Sequence, residues 1–574
     1  MLLTLKILKM KKLLIYLTIL AVIVSAGCKK FNDKFDNLLT DPNQPSLTAA
    51  DADLYLNNVI LSFQNFHRNA SDLADPLIRQ EVMFGPTYFN QYGPTSFDGI
   101  WTTAYTSVFK TANTLIPLAE EKGQFKHSGI AKVLKAFTMM TLVDLFGDVP
   151  YSEANLGVEN TNPKADKGQD VYAAAIALLD DAITTLGKDA SSSPSNDIYY
   201  GGSATKWITL AKTLELRAYV QTRLIDASAK DKINALIAGG DLITDASGDF
   251  TFQYGSKASA PDSRDGRYVG NYGTDNGAGA YLGTYAMWIC SKEKGFVDPR
   301  TRYYFYRQCL HPTDYSDSRL PDQTTLQFAL ACYYRAVPPW YPAGSPYCVL
   351  DGGWWGRDHG NNEGTGPDLL VKSTWGVYPA GGALDYDQNT SVGQSAGREV
   401  GAKGVGMEPI FLSSFTYFLQ AESALTMGTT GDAEALLLQG IEASFNKVAA
   451  FPGSINYGPT SDTTFLITDY KKQKYINYVK NQFETAANDD AKLNIIEKEF
   501  YIAAWGNGLE PYNAYRRTAK PDNFQLTANI ADPGAFIRSF FYPSVYVNLN
   551  KNITQKTVTN VKVFWDTNPD NLYH

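Results

Sequence analysis

The sequence predicts an all-α-dominated protein: a scaffold of helical hairpins carrying one large, irregular, loop-rich ligand-binding segment. Two observations lead there. Over most of the chain apolar residues recur every three or four positions, the spacing that keeps them on one face of a helix, and short Gly/Asp/Asn turns separate the runs. From about residue 248 to 406 this periodicity lapses and Gly, Pro, Tyr and Trp become frequent instead. No Ser/Gly- or Pro-rich linker divides the 574 residues, so residues 46–574 are expected to form one body.

The N-terminus reads as an export signal. Lys6, Lys9, Lys11 and Lys12 precede an uncharged run from Leu13 to Val24, with Met10 reading as the initiator. That run is shorter than the roughly 20 residues a membrane-spanning helix needs. A basic head, a short apolar stretch and small residues make a secretory signal. Ser25-Ala26-Gly27 then lead directly into Cys28, the arrangement in which a bacterial signal peptidase cuts and the cysteine thiol receives a diacylglycerol. Residues 1–27 are therefore expected to be a lipoprotein signal peptide and 28–45 a lipid-anchored tether. Acyl chains bury their methylenes at about 0.8 kcal/mol each, enough in combination to hold a soluble body at a membrane.

Within the body, Tyr172, Ile176, Leu179, Ile183 and Leu186 form one apolar stripe, and Trp207, Leu210, Leu214, Ala218 and Gln221 another. Further helices are expected over 51–65, 97–120, 129–145, 407–427, 432–448 and 492–507. Pairs joined by short turns, such as 427–432, resemble tetratricopeptide-like hairpins in architecture. The scaffold is thus assigned to 46–247 and 407–574. The loop-rich segment lies between them at 248–406, and loops that long in a compact body are usually functional.

Composition narrows the chemistry. At 44% hydrophobic and 19% charged the chain is ordinary for a globular protein. Its formal net charge of -8, without a basic patch, argues against nucleic acid as a partner. Setting Cys28 aside, Cys290, Cys309, Cys332 and Cys348 remain, an even number in an exported chain. They suggest two disulfides with three connectivities, sequence neighbours favouring Cys290–Cys309 and Cys332–Cys348. The five scattered histidines and the lack of Cys-x-x-Cys predict no metal site, and no cofactor is expected. Gly393-Gln394-Ser395-Ala396-Gly397 spells a nucleophile elbow, but polar residues precede it and the only later histidine is His574. The glycines at 401, 404 and 406 lack the Lys-Ser/Thr of a phosphate loop. No carboxylate pair stands out for glycoside hydrolysis. The chain is read as a non-enzyme.

The run Leu142-Val143-Asp144-Leu145-Phe146-Gly147-Asp148-Val149-Pro150-Tyr151-Ser152-Glu153-Ala154 resembles a signature of the SusD/RagB family, the starch-binding-type lipoproteins of Bacteroidetes. Other pieces follow in matching order: Asp41-Pro42-Asn43; Trp101, Tyr105 and Asn113; Asp166-Lys167-Gly168 with Tyr172; Trp207 to Arg217; and Asp298-Pro299-Arg300. Then come Glu422, Gly431-Asp432, Glu497 to Trp505, Tyr515-Arg516-Arg517-Thr518, Arg538, Tyr542-Pro543, Asn548 and Phe564-Trp565-Asp566. The resemblance spans essentially the whole mature chain. It implies a cell-surface lipoprotein of the outer membrane that captures an oligosaccharide and hands it to a SusC-like TonB-dependent barrel transporter. Some members hold a calcium ion, though no residue pattern here points to one. Rival readings are the same role for peptides, a surface glycosidase, or a purely structural helical adaptor.

The motif residues themselves read as scaffold. Gly147 and Pro150 suit a fixed turn, Asp144 and Asp148 would accept hydrogen bonds there, and Arg516, Arg517 and Glu422 would pair inside the fold. The ligand site is sought instead in aromatic loops, because sugars present flat C–H faces to Trp and Tyr and hydroxyls to polar groups. Two regions offer both. One is Tyr88-Phe89-Asn90-Gln91-Tyr92. The other comprises Trp288, Trp340-Tyr341 and Trp354-Trp355 with Arg357-Asp358. Glycines flanking Trp354-Trp355 make that pair the leading candidate, the alternative being that one or both tryptophans anchor the loop by burial.

Overall fold

A computed structural model of the protein describes residues 51–272, 280–311, 336–348, 352–362, 371–390, 397, 399–458 and 463–569. The expected signal segment, Cys28, the tether and Cys332 lie outside them. The main compact unit is Tyr55–His574.

Helices α1 (Ala52–Ala74), α2 (Asp98–Thr102), α3 (Lys110–Glu121), α4 (Phe125–Phe146), α5 (Gly168–Leu186), α6 (Ala204–Thr222) and α7 (Ala229–Gly239) build the first part of the scaffold. A π-helical stretch, Thr103–Phe109, makes α2 and α3 one continuous run. Sequence neighbours from α3 to α7 pack on one another, across short connections after α3 and α6 and longer ones at 147–167 and 187–203. Helix α4 is buried on nearly every side, as a helix that is apolar all round must be. Its Gly129 allows α5 to come close, since a Cβ there would lie 2.4 Å from Leu186 Cγ. Lys132, also on α4, reaches Glu120 on α3 (2.6 Å) and Asp181 on α5 (2.7 Å), tying three helices together. Gly147, at φ 78°, ends α4 in the turn the sequence suggested.

The irregular segment contains β1 (Phe250–Gln253), α8 (Gly266–Tyr272), α9 (Thr284–Ser291), α10 (Thr301–Tyr304), β2 (Phe305–Arg307) and β3 (Ser373–Trp375). It is followed by β4 (Met407–Phe411). Strand β1 pairs antiparallel with β4, setting Gln253 opposite Met407, and β2 pairs antiparallel with β3. The helix expected from residue 407 therefore starts later. Its first residues form β4, where Pro409 has no N–H to give a helix, and the helix proper is α11 (Ser413–Met427). Helices α12 (Ala433–Ser454), α13 (Asp469–Glu484), α14 (Asp489–Ala503) and α15 (Leu509–Thr518) complete the second part. Gly428 closes α11 in the left-handed conformation, and the Asp432 side chain accepts from the Ala435 N–H to open α12, so the expected turn has both its stop and its cap.

Buried charge joins the two parts. Asp144 on α4 accepts at Oδ2 from Arg217 (3.0 Å) and Asn513 (2.9 Å), and at Oδ1 from Trp565 (3.0 Å) and Tyr172. Arg217 also donates to Glu510 at 2.7 Å. Arg516 donates to the carbonyls of Asp144 (2.7 Å) and Arg538 (2.6 Å). Arg517 grips both oxygens of Glu422, at 2.7 and 2.6 Å, and Arg223 adds a third bond. Burial, followed by the neighbouring Glu422, pushes the carboxyl of Glu497 well up. Arg516, Arg517 and Glu422 thus pair inside the fold as expected, whereas Asp144, expected to accept backbone bonds in the turn, accepts side-chain donors from remote elements instead, and Asp148 takes the Gly168 N–H.

Glu408 on β4 lies at the meeting of α1, α8 and β4. Burial alone would raise its carboxyl, but Arg68 and Arg267, each 3.3 Å away, outweigh that and bring it down from 4.5 to about 2. A carboxyl lowered by folding contributes stability that is complete above its unfolded pKa and lost as pH falls toward the folded value. The protein is therefore expected to lose stability between about pH 4.5 and 2. Denaturant titrations across that interval should show Glu408→Gln, weaker at neutral pH, with a shallower acid decline. An unchanged acid slope in the variant would assign the decline to other carboxylates.

Candidate ligand-binding surface

Three segments distant in sequence interlock around Gln525. Its side-chain amide donates to Asp358 Oδ1 (2.7 Å) and the Pro346 carbonyl (2.8 Å), while Oε1 accepts from the His359 N–H (3.1 Å). Its backbone carbonyl accepts from the Arg79 guanidinium at 3.2 and 3.1 Å. Arg79 also donates to the Tyr88 hydroxyl (2.9 Å), which lies 3.1 Å from His359 Nε2. Burial, then the charge of Arg79, pushes His359 well below its ordinary value, so the ring is neutral. Burial raises Asp358 to about 6 against the hydrogen bonds from Gln525 and the Cys348 N–H. This buried lattice holds the loops, and it is closed to solvent.

Outside the lattice the same loops present aromatic and amide groups. Phe89 is 54% exposed, its ring edge-on to Phe541. Asn90 is exposed beside it, and Tyr88 N–H bonds to the Pro533 carbonyl. Gln91 is half-buried, its side chain accepting from the Gly85 N–H. Tyr92 is half-buried and anchored to the Leu73 carbonyl. Trp340 is half-buried, its indole N–H donating to the Thr527 carbonyl (2.9 Å). Tyr341 is buried and donates to the Leu526 carbonyl (2.6 Å). Exposed Asn362 accepts from Asn529 at 2.5 Å. Residues 525–534 thus carry both the Phe89–Asn90 loop and the Trp340 loop. That segment was not among the expected site residues, although Asn523, Gln525 and Asn529 around Phe524 repeat the aromatic-and-amide composition of 88–92.

The other expected residues lie elsewhere. Trp354 and Trp355, the leading candidates, are interior, at 3% and 1% exposure. Trp354 lies beneath Arg307, 4.2 Å from the ring centroid, and Trp355 is held by its own N–H to Ser373 Oγ (3.0 Å). Their flanking glycines serve close packing instead of display: a Cβ on Gly353 would lie 2.5 Å from the Cys309 carbonyl oxygen. Arg357 is buried over the Tyr281 ring. Trp288 is half-buried on α9, tilted against Tyr285. The expected Cys290–Cys309 bond is absent, because both are buried thiols. Cys348 is disulfide-bonded, and its expected partner Cys332 lies outside the described residues.

A hairpin scaffold that fixes aromatic and amide side chains on converging loops has the make-up a ligand-binding protein needs. Comparison with known proteins carries this further. Residues 42–314 match the family described as starch-binding associating with outer membrane, and residues 406–567 match the SusD and RagB outer membrane lipoproteins. The chain belongs to the SusD/RagB family. Its fold is shared by a SusD/RagB family protein from Bacteroides thetaiotaomicron, at 20% identity and TM-score 0.63 over 91% of this chain and 100% of that one. A SusD homolog from Bacteroides uniformis aligns at 16% identity and TM-score 0.62 over 90% and 99% of the two chains. A chitin-binding SusD homolog from Flavobacterium johnsoniae aligns at 19% identity and TM-score 0.58, again over 90% and 99%. The comparison with curated proteins found no match. Among the described residues no helix is long and apolar enough to cross a membrane.

Proposed function

We propose that this chain is a cell-surface lipoprotein, anchored in the outer membrane through Cys28, that captures oligosaccharides and delivers them to a SusC-like TonB-dependent transporter. It performs no chemistry on them and uses no cofactor. The reading rests on the surface that gathers Phe89, Asn90, Trp340, Asn362 and Asn529 onto one supporting segment. Aromatic faces for sugar C–H groups and amides for hydroxyls are the two things a neutral glycan needs. The family descriptions and the chitin-binding neighbour support a saccharide as ligand.

Calorimetry on the body after Cys28, against a panel of neutral glycans and peptides, tests the proposal. Saturable binding to one sugar class is expected, weakened by about tenfold or more, or about 1.4 kcal/mol, in a Phe89→Ala/Trp340→Ala variant. EDTA should leave the affinity unchanged. Binding to peptides alone would transfer the role to a different cargo. Release of shorter products from labelled glycans would overturn the non-enzymatic reading. Co-purification of the lipidated chain with a barrel transporter tests delivery.

A further inference from the structure

A second cleft, of about 430 Å³, opens between the loop 296–302 and the segment 464–474. It shares no residue with the surface proposed for neutral glycans. Its walls are aromatic: Phe296, Phe465 and Tyr470, the last 79% exposed. Its polar lining is cationic. Lys474 Nζ sits 5.1 Å above the Phe296 ring. Lys471 donates to the carbonyls of Thr464 and, at 2.8 Å, Leu466, bracing the turn that carries Phe465. Neither lysine has a carboxylate partner among the described residues. Arg302 lies between the rings of Phe465 (5.0 Å) and Trp354 (5.6 Å) and is paired with Asp385 and Asp387. Its charge is thus compensated while its planar face backs the cleft. Two carboxylates beside the cleft are also engaged: Asp298, in its lining, is buried against Arg300, and Asp469, next to Tyr470 in the chain, is paired with Lys472 at 2.8 Å.

Both lysines also lie in the first two turns of α13, whose Thr468 cap leaves the positive end of the helix at the mouth of the cleft. Cations at a helix N-terminus add to the positive end of its dipole instead of offsetting it. Asp469 in the same first turn is taken up by Lys472, so Lys471 and Lys474 leave the positive potential in the aromatic cavity uncompensated by an ion pair among the described residues. An anion relieves that potential, and the three rings offer flat faces for an attached apolar ring surface. The volume lies within the range of small-ligand sites.

We propose that this cleft is a second saccharide site, selective for an anionic pyranose bearing a carboxylate or sulfate ester. The charged group sits between Lys471 and Lys474, and the sugar face stacks on Tyr470 or Phe465. The site stands apart from the neutral-glycan surface, so either can fail without the other.

Calorimetry with short oligogalacturonates, sulfated galactans and uncharged galactose oligomers tests this. The expected result is binding of at least one anionic probe that weakens as salt rises, with no comparable binding of the neutral oligomer at this cleft. A Tyr470→Ala/Lys474→Ala variant alters two exposed side chains, so it should keep the wild-type melting temperature. It should lose about tenfold or more in affinity for the anionic probe. The Phe89→Ala/Trp340→Ala variant should retain that affinity. Preference for carboxylate or for sulfate probes would identify the anion. Silence toward every anionic probe, binding insensitive to salt, or full affinity in the Tyr470/Lys474 variant would each overturn the proposal.

Discussion

Replacing Asp144 by alanine is expected to destabilise the body by about 3–5 kcal/mol, the usual cost of removing one partner from a buried ion pair. Asp144 and Arg217 are both buried, and removing the carboxylate leaves Arg217 with Glu510 alone. It also strips acceptors from Tyr172, Asn513 and Trp565. Those donors come from α5, α15 and the C-terminal segment, so the loss falls where the two parts of the scaffold meet. Denaturant unfolding should show a lower midpoint with little change of slope. A loss below about 1 kcal/mol would mean that the network relaxes around water. Asp148, four residues on in the same motif, is the control. It is 34% exposed and bonds to the exposed Lys167 and the Gly168 N–H, so Asp148→Ala should move the midpoint far less.

The second large effect concerns Trp354 and Trp355. Alanine at either is expected to cost about 3–5 kcal/mol, as for other buried aromatic truncations, while leaving the affinity for neutral glycan intact. Display of the pair on a binding loop would give the opposite pattern: lost affinity with an unchanged melting temperature. The structure reverses it because Trp354 supports the guanidinium groups of Arg302 and Arg307, and Trp355 is enclosed beside β3. A Trp354→Ala protein that melts like the wild type but no longer binds neutral glycan would restore the earlier assignment.

The helical hairpins were legible because their signal is local. An apolar stripe, a glycine stop and an aspartate cap all lie within a few residues of the helix they define. The structural role of Glu422 was legible for a related reason, since a charge set in an apolar helix must find a partner inside the fold, and the paired arginines Arg516 and Arg517 pointed to buried acceptors in the same way. The start of α11 was misread because Met407, Ile410 and Phe411 keep the three-to-four spacing of a helix, while the strand partner lies far back at Phe250–Gln253. The proposed surface was legible only in part. The aromatic-and-amide signal singled out Tyr88 to Tyr92 and Trp340 as candidates, but could not separate the anchored Tyr88 from the exposed Phe89.

By itself, then, the sequence determined the helical class, the family and several of the charges that must be paired, because each is written in short-range pattern or in residue chemistry. Only the tertiary structure decided which tryptophans face solvent, that Cys290 and Cys309 stay apart, and that residues 525–534 bring the two loops together. Burial and contact between remote segments depend on how the whole chain closes, and neighbouring residues carry no record of that.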